Sequence, residues 1–435
     1  MVDDSLDQVI SEDEFRVLLE REAADFFRAR SLFVGKESGA IFKRSFAALL
    51  DAAHQLESFL DDFGARNNRA FAYFTELVGV TRIFAGVGYI LRHTLIRYPS
   101  YGIGDDRENS NRFHTGAEKV LDFCTSVLQN LLTEATDTAR IALRIPIAEG
   151  EAHVVSSAEK MPKRHLPHNV DEKEITTEEQ LVPELATRFI RFADRFGDLT
   201  RDWVEGKLGI AEFVAHGCSE ERIRGFESAA RAMQLKYDTL IKGTSREQKH
   251  RELKQLRGCI SMSLHNLEVT GRALRYVERV STGIKDSEIA RRLEGLVDRK
   301  RLTEFVGQHL LNRVLYYIGR GRSIAEGLLK ELTRVVEYTF DIPRDVQLHA
   351  RPASLIVRIV NHYGTPVSLS IGKDTCDAGS IMRVMMTVGN NSGARQVSFK
   401  GDEKVLRDIK LLFDSQLGEN GIESLPAQLA YLKRI

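Results

Sequence analysis

A chain of 435 residues, 43% hydrophobic and 29% charged, is long enough for two or three separately cored domains and has an ordinary globular composition. Its 62 basic and 62 acidic residues balance, so no global field draws it to nucleic acid or to an anionic membrane. Cys124, Cys218, Cys259 and Cys376 lie far apart without a CxxC pair, which argues against a disulfide framework or a zinc site and fits a reducing cytoplasm.

The start, Met1-Val2-Asp3-Asp4-Ser5, lacks the basic and apolar segments of a secretory signal. From about residue 12 to 333 the pattern is helical. Phe42, Phe46, Leu49, Ala53, Leu56, Leu60 and Phe63 recur at steps of three and four. So do Leu185, Phe189, Phe192, Phe196, Leu199 and Trp203, and again Leu253, Leu256, Ile260, Leu267, Leu274 and Val277. Such stripes bury against other helices, which predicts an all-α bundle or array. The most apolar stretch, Tyr73 to Leu91, is interrupted by Glu76, Arg82 and three glycines. It reads as a buried helix, because spanning a membrane takes about 20 mainly apolar residues.

Pro99 to Arg112 reads as a polar loop. Residues 145 to 178 lack helical periodicity, carry three prolines, and divide the helical region into lobes 1–144 and 179–333. Within that linker His165 and His168 form an H-x-x-H pair with no evident further ligand, and solvated loop histidines are the better reading. His265, in Ser263-Leu264-His265-Asn266-Leu267-Glu268, reads as an ordinary helical histidine. Gly319-Arg320-Gly321-Arg322 reads as a helix break with solvated arginines.

After Leu332 the texture changes. Val335 to Ile342 has strand character, residues 350–362 suit a helix, and Val367 to Ile371 alternate as a half-buried strand. A short strand near 374–377, a helix over about 380–388 and a strand over 395–400 follow. Asp402 caps a last helix that ends at Gly418. The order β-α-β-β-α-β-α predicts a mostly antiparallel four-stranded sheet with three helices on one face, an α+β open-faced sandwich. The expected layout is therefore multidomain: helical lobe 1–144, linker 145–178, helical lobe 179–333, α+β domain 334–421 and extension 422–435.

The chemistry concentrates in Leu348-His349-Ala350-Arg351-Pro352-Ala353. Pro352 belongs in a helix's first turn, where its missing N–H costs nothing, so the helix starts close to His349. Amides at a helix start have no internal partner, and the dipole there favours an anion. A phosphoryl group on His349 would meet those donors, and Arg351 adds a forked permanent cation. The same environment disfavours imidazolium and leaves a neutral nucleophilic ring. Two readings stay open on the local pattern, a phosphate-holding histidine and one that merely caps a helix.

Residues 335 to about 418 resemble the histidine-containing phosphocarrier (HPr) family of the phosphoenolpyruvate-dependent sugar phosphotransferase system. Leu348 to Ala353 match the motif around that family's phosphorylated histidine. Ser380-Ile381-Met382 with Val384-Met385 match the segment around its regulatory serine, at the family's separation and in its order of strands and helices. The resemblance implies that His349 is phosphorylated on Nδ1 by Enzyme I and hands the group to a sugar-specific component, with Arg351 steadying it. It implies Ser380 as the target of an HPr kinase/phosphorylase. Ala350, Ser354, Ile381, Met382 and Met385 would be partner-binding, with the methionines forming an adaptable apolar patch and Met386 in the core.

This sequence departs from the family at several points. Gln347 stands where a glycine is common, Gly379 where a basic residue is frequent, and Arg383 where a glycine is common. Met385 to Gly389 is one residue longer than usual, and Ile422 to Ile435 runs past the usual end. These changes bear on partner identity more than on fold. The expected protein is a cytoplasmic phosphocarrier or regulator without metal, cofactor or membrane insertion, and a phosphoryl carrier in preference to a stand-alone catalyst. Its helical region would serve as sensor, scaffold or oligomerisation module. The rivals are a non-relay regulatory or scaffold protein with an HPr-like binding domain, and a helical enzyme controlled by its tail.

Overall fold

The computed structural model describes residues 9–104, 106–147, 150, 178–342, 348–391 and 393–433. His165, His168 and Gln347 lie outside the described residues. The helices before the first strand are α1 (Glu12–Glu22), α2 (Ala24–Arg30), α3 (Lys43–Asp62), α4 (Ala72–Arg97), α5 (Arg107–Asp137), α6 (Glu178–Val204), α7 (Ile210–Glu212), α8 (Glu220–Leu240), α9 (Ser245–Lys249), α10 (Arg251–Glu278), α11 (Ser287–Leu296), α12 (Arg299–Phe305) and α13 (Asn312–Leu332). The α+β region follows as β1 (Val335–Asp341), α14 (Ala350–Tyr363), β2 (Val367–Ile371), β3 (Asp374–Asp377), α15 (Ile381–Asn390), β4 (Gln396–Asp402) and α16 (Glu403–Asp414). The chain forms two compact units, one from Met1–His168, Phe196–Arg231 and Arg257–Ile318, the other from Asn169–Arg195, Ala232–Leu256 and Gly319–Ile435.

The described part of the first unit is helical. α4 packs against both α3 and α5. Phe46, Leu49, Ala53, Leu56 and Leu60 are buried as their spacing predicts, whereas Phe42 and Phe63 are exposed. Those two residues flank α3 as its N-cap and C-cap, where the helical period no longer decides which way a side chain faces. α4 is apolar and long enough to cross a bilayer, but 89% of its most apolar window is buried within the structure. Its Glu76 is buried, as is Glu57 of α3. Arg66, Arg82 and Arg279 converge on these two carboxylates, and Arg279 Nε donates to Glu76 at 2.7 Å. Removing the arginines would strand two buried charges.

Two boundaries differ from the sequence reading. Asp106 caps α5 by accepting from Asn109 N at 2.7 Å, so the polar stretch is already helical from Arg107. Cap chemistry outweighs polar composition there. Gly319 to Arg322 do not break the chain either: α13 continues through them, and Arg322 is held by Glu326 and Asp194. Two glycines cost a helix roughly 1 kcal/mol each, little enough for neighbouring turns to carry.

In the second unit the sheet has the order β1-β4-β2-β3 and is antiparallel throughout. The register sets Tyr338 opposite Phe399 and Leu369 opposite Phe399 from the other side. Phe399 is fully buried, and the Phe340 and Phe413 rings stack at 4.7 Å beside it. α16 lies on β1 and β4, and α15 on β2 and β3. Asp402 caps α16 by accepting from Lys404 N. Leu425, Leu429 and Leu432 join the same core, and Tyr363 and Tyr431 both donate to Oδ2 of the buried Asp408. The chain after α16 thus folds back onto α14 and α16.

Phe399→Ala empties the centre of this layer. The expected loss is about 3–5 kcal/mol, read as reduced hydrogen-exchange protection of the β2 and β4 amides with α3 to α5 unaffected.

Candidate functional site

His349 is the N-cap of α14, with extended backbone (φ −84°, ψ −170°), while Pro352 is buried in the first turn. Its side chain is 51% exposed. Nδ1 accepts a long hydrogen bond, 3.3 Å, from the Arg351 amide. The ring proton therefore belongs on Nε2, which lies 2.9 Å from Oε1 of Glu419. That carboxylate oxygen is buried and has no hydrogen bond of its own beyond this charged contact. The imidazole is thus gripped on the Nε2 side and faces the helix start with its Nδ1 lone pair.

Glu419 was not legible as a site residue, because a strained turn brings it in. Gln416 and Leu417 both have φ of 54°, a left-handed conformation that non-glycine residues adopt only at a cost. Leu417 is fully buried, which holds the turn shut. Gly418 follows at φ 77°, and a Cβ on it would lie 2.6 Å from Leu355 of α14. Only glycine fits so close to α14 in that backbone state. The one sequence signal is Gly418 with Gly421 directly after a capped helix.

Arg351, Ala350 and Ser354 are exposed, and no hydrogen bond or ion pair holds the Arg351 guanidinium among the described residues. Its fork is therefore at liberty to turn toward a group on Nδ1.

Ser380 is the half-buried N-cap of α15. Its hydroxyl accepts from Arg383 N at 3.5 Å, a weak bond. The turn before it is fixed by Asp377, which takes the Gly379 amide on Oδ1 at 2.9 Å and the Ser380 amide on its carbonyl at 3.2 Å. Asn361 of α14 donates to the Gly379 carbonyl. Arg191 of α6 reaches Asp377 at 3.8 Å, so a helical-region cation stands beside this serine's turn. Nothing in the local motif pointed to a residue so far upstream.

α15 exposes Ile381 (43%) and Met382 (71%). Met386, expected in the core, is 66% exposed instead, while Met385 is half-buried against the domain core. The register of α15 decides this: Val384 and Thr387 face inward, and Met386 falls on the opposite side.

His265 keeps to its structural reading. Nε2 meets the Tyr101 hydroxyl at 3.0 Å and Nδ1 meets Glu268 at 2.8 Å, so both ring nitrogens are engaged. Beside it, His93 takes the Lys43 ammonium on Nδ1 at 3.0 Å. Burial, then Lys43, His265 and Arg97, hold the His93 ring down to about 4, against the pull of Glu268.

Residues 336–413 match the PTS-HPr family, described as the PTS HPr component phosphorylation site. The match takes in β1 through nearly all of α16, and with it His349, Arg351 and Ser380. No curated protein matches the chain, and no solved structure does.

Two measurements follow from this geometry. Long-range ¹⁵N–¹H NMR should find His349 protonated on Nε2 and bare on Nδ1, and Glu419→Ala should raise the share of the Nδ1–H tautomer. For His93, a folded-state value below the ordinary 6.5 means that the unfolded chain binds the extra proton between those limits. Its contribution to stability is complete above about pH 6.5 and is lost as pH falls toward 4. The denaturant midpoint of the first unit should drop from pH 7.5 to pH 5, and His93→Asn should flatten that slope.

Proposed function

We propose, from the premise that residues 336–413 are an HPr domain, that His349 accepts a phosphoryl group on Nδ1 from Enzyme I and passes it to a sugar-specific phosphotransferase component. The observation that carries this reading is an exposed imidazole whose Nδ1 lone pair faces the start of α14. In the step, that lone pair forms a bond to phosphorus while the donor's bond to phosphorus breaks and its electron pair leaves with the donor. The phosphoryl oxygens then meet the amides at the helix start and the unengaged guanidinium of Arg351. Glu419, through Nε2–H, opposes the positive charge that forms on the ring. Onward transfer reverses these bonds.

Ser380 is the proposed regulatory site for an HPr kinase/phosphorylase. A phosphate on a helix N-cap is favoured by the dipole, and Arg191 stands near enough to feel it. Ala350 and Ser354 beside His349, with Ile381, Met382 and Met385 on α15, form the proposed partner face, and the exposure of Met386 adds it to that set. The helical lobes, 1–144 and 179–333, would read the domain's phosphorylation state. A second reading, a scaffold that binds partners without relaying phosphate, draws support from Gly379 and Arg383 beside that apolar face.

The test is incubation of the full chain with Enzyme I and phosphoenolpyruvate. An acid-labile, base-stable adduct should form, vanish in His349→Ala, and persist in Ser380→Ala. Arg351→Ala should slow its formation by about ten- to a hundredfold. Full-length protein that gains no adduct at His349 leaves the scaffold reading standing.

A further inference from the structure

The first unit holds a pair of arginines that the phosphocarrier chemistry does not use. Arg272 and Arg279 lie seven residues apart on the face of α10 and its π-helical continuation (Arg279–Gly283), and each rests on a glycine of α4. A Cβ at Gly79 would stand 2.8 Å from Nη2 of Arg279, and one at Gly86 would stand 2.8 Å from Cζ of Arg272. The glycines are also seven apart, so the same seat occurs twice along one helix pair.

The two seats differ in what answers the charge. Arg279 is met by the buried carboxylates of Glu57 and Glu76. Arg272 has no hydrogen bond and no ion pair among the described residues. Desolvation lowers its affinity for its proton; Glu268 and Glu227 pull the other way from a distance, and Arg82 and Arg275 add to the lowering. A half-buried guanidinium with no partner is costly, and folds normally supply a counter-ion. Beside Arg272 the fold leaves a cavity of about 230 Å³, lined by five arginines and three glutamates. Arg231 is engaged by Glu227 and Glu268, and Arg82 by Glu57, but Arg275, like Arg272, carries no ion pair among the described residues.

We propose that this cavity binds a small phosphomonoester, its phosphoryl group seated between Arg272 and Arg275. Two guanidinium groups without ion pairs, half-buried Arg272 and exposed Arg275, suit a dianion, which a phosphomonoester supplies near neutral pH. Their forked donors suit its oxygens. The missing Cβ lets Arg272 lie against α4, and its side chain lines the cavity. The volume leaves room for a short carbon chain or one sugar ring beyond the phosphoryl group.

The test is calorimetric titration and thermal shift on the full chain with glycerol 3-phosphate, glucose 6-phosphate, inorganic phosphate, succinate, glycerol and glucose. Saturable binding of a phosphate ester, without binding of glycerol or glucose, is the expected result. Arg272→Met should weaken that binding about tenfold to a hundredfold, yet leave the melting temperature of the ligand-free protein unchanged or higher, because it removes an unanswered charge. Gly86→Ala should also weaken binding by displacing the guanidinium while keeping it. Succinate binding without phosphate-ester binding would overturn the phosphoryl assignment. So would wild-type affinity in both variants, or the absence of saturable binding with every anion. Should Arg272→Met fail to fold, the seat would be structural and the proposal would fall with it.

Discussion

His349 stands where extended backbone turns into α14, and the chemistry of the C-terminal layer depends on that one junction. Pro352 fixes where the helix starts, and the helix start fixes which ring nitrogen can accept an amide. Glu419 completes the arrangement from the other side of the ring. Each of the three constraints is weak alone: a first-turn proline, a 3.3 Å cap bond, a single carboxylate contact. Together they leave one tautomer and one open lone pair.

That arrangement explains why the chain after α16 belongs to the site. The turn at Gln416 to Gly418 holds two non-glycine residues in left-handed conformations, which a free loop would relax. Burial of Leu417, the tight fit of Gly418 on Leu355 and the return of Leu425, Leu429 and Leu432 to the core keep it strained. The hydrophobic core thus sustains the backbone cost that sets a carboxylate beside the imidazole.

The parts of this molecule governed by local pattern were readable in advance. Strand alternation at Val367 to Ile371 and the cap at Asp402 each rest on residues close together in the chain, and the α+β order follows from such signals. That His349 and Ser380 each stand at a helix start was readable from the residues around them. What escaped was long-range. Glu419 lies seventy residues beyond His349, Arg191 nearly two hundred before Ser380, and the Arg–Glu cluster joins α3, α4 and the end of α10. Met386 falls outside the core because neighbours on a helix differ by one step of rotation, and only the packing of Val384 and Thr387 fixes its zero.

The arginines of α10 carry the same lesson in a form that bears on function. A sequence shows Arg272 and Arg279 as two basic residues seven apart, and Gly79 and Gly86 as interruptions in an apolar run. Packed together, the glycines cease to be interruptions: they are the only residues small enough to let a guanidinium lie on the helix backbone. One of the two, Arg279, is then met by Glu57 and Glu76. The other keeps its charge unanswered beside a cavity. Arg272 carries no ion pair among the described residues, so an anion held in the cavity would answer a charge that the packing of the helices leaves open.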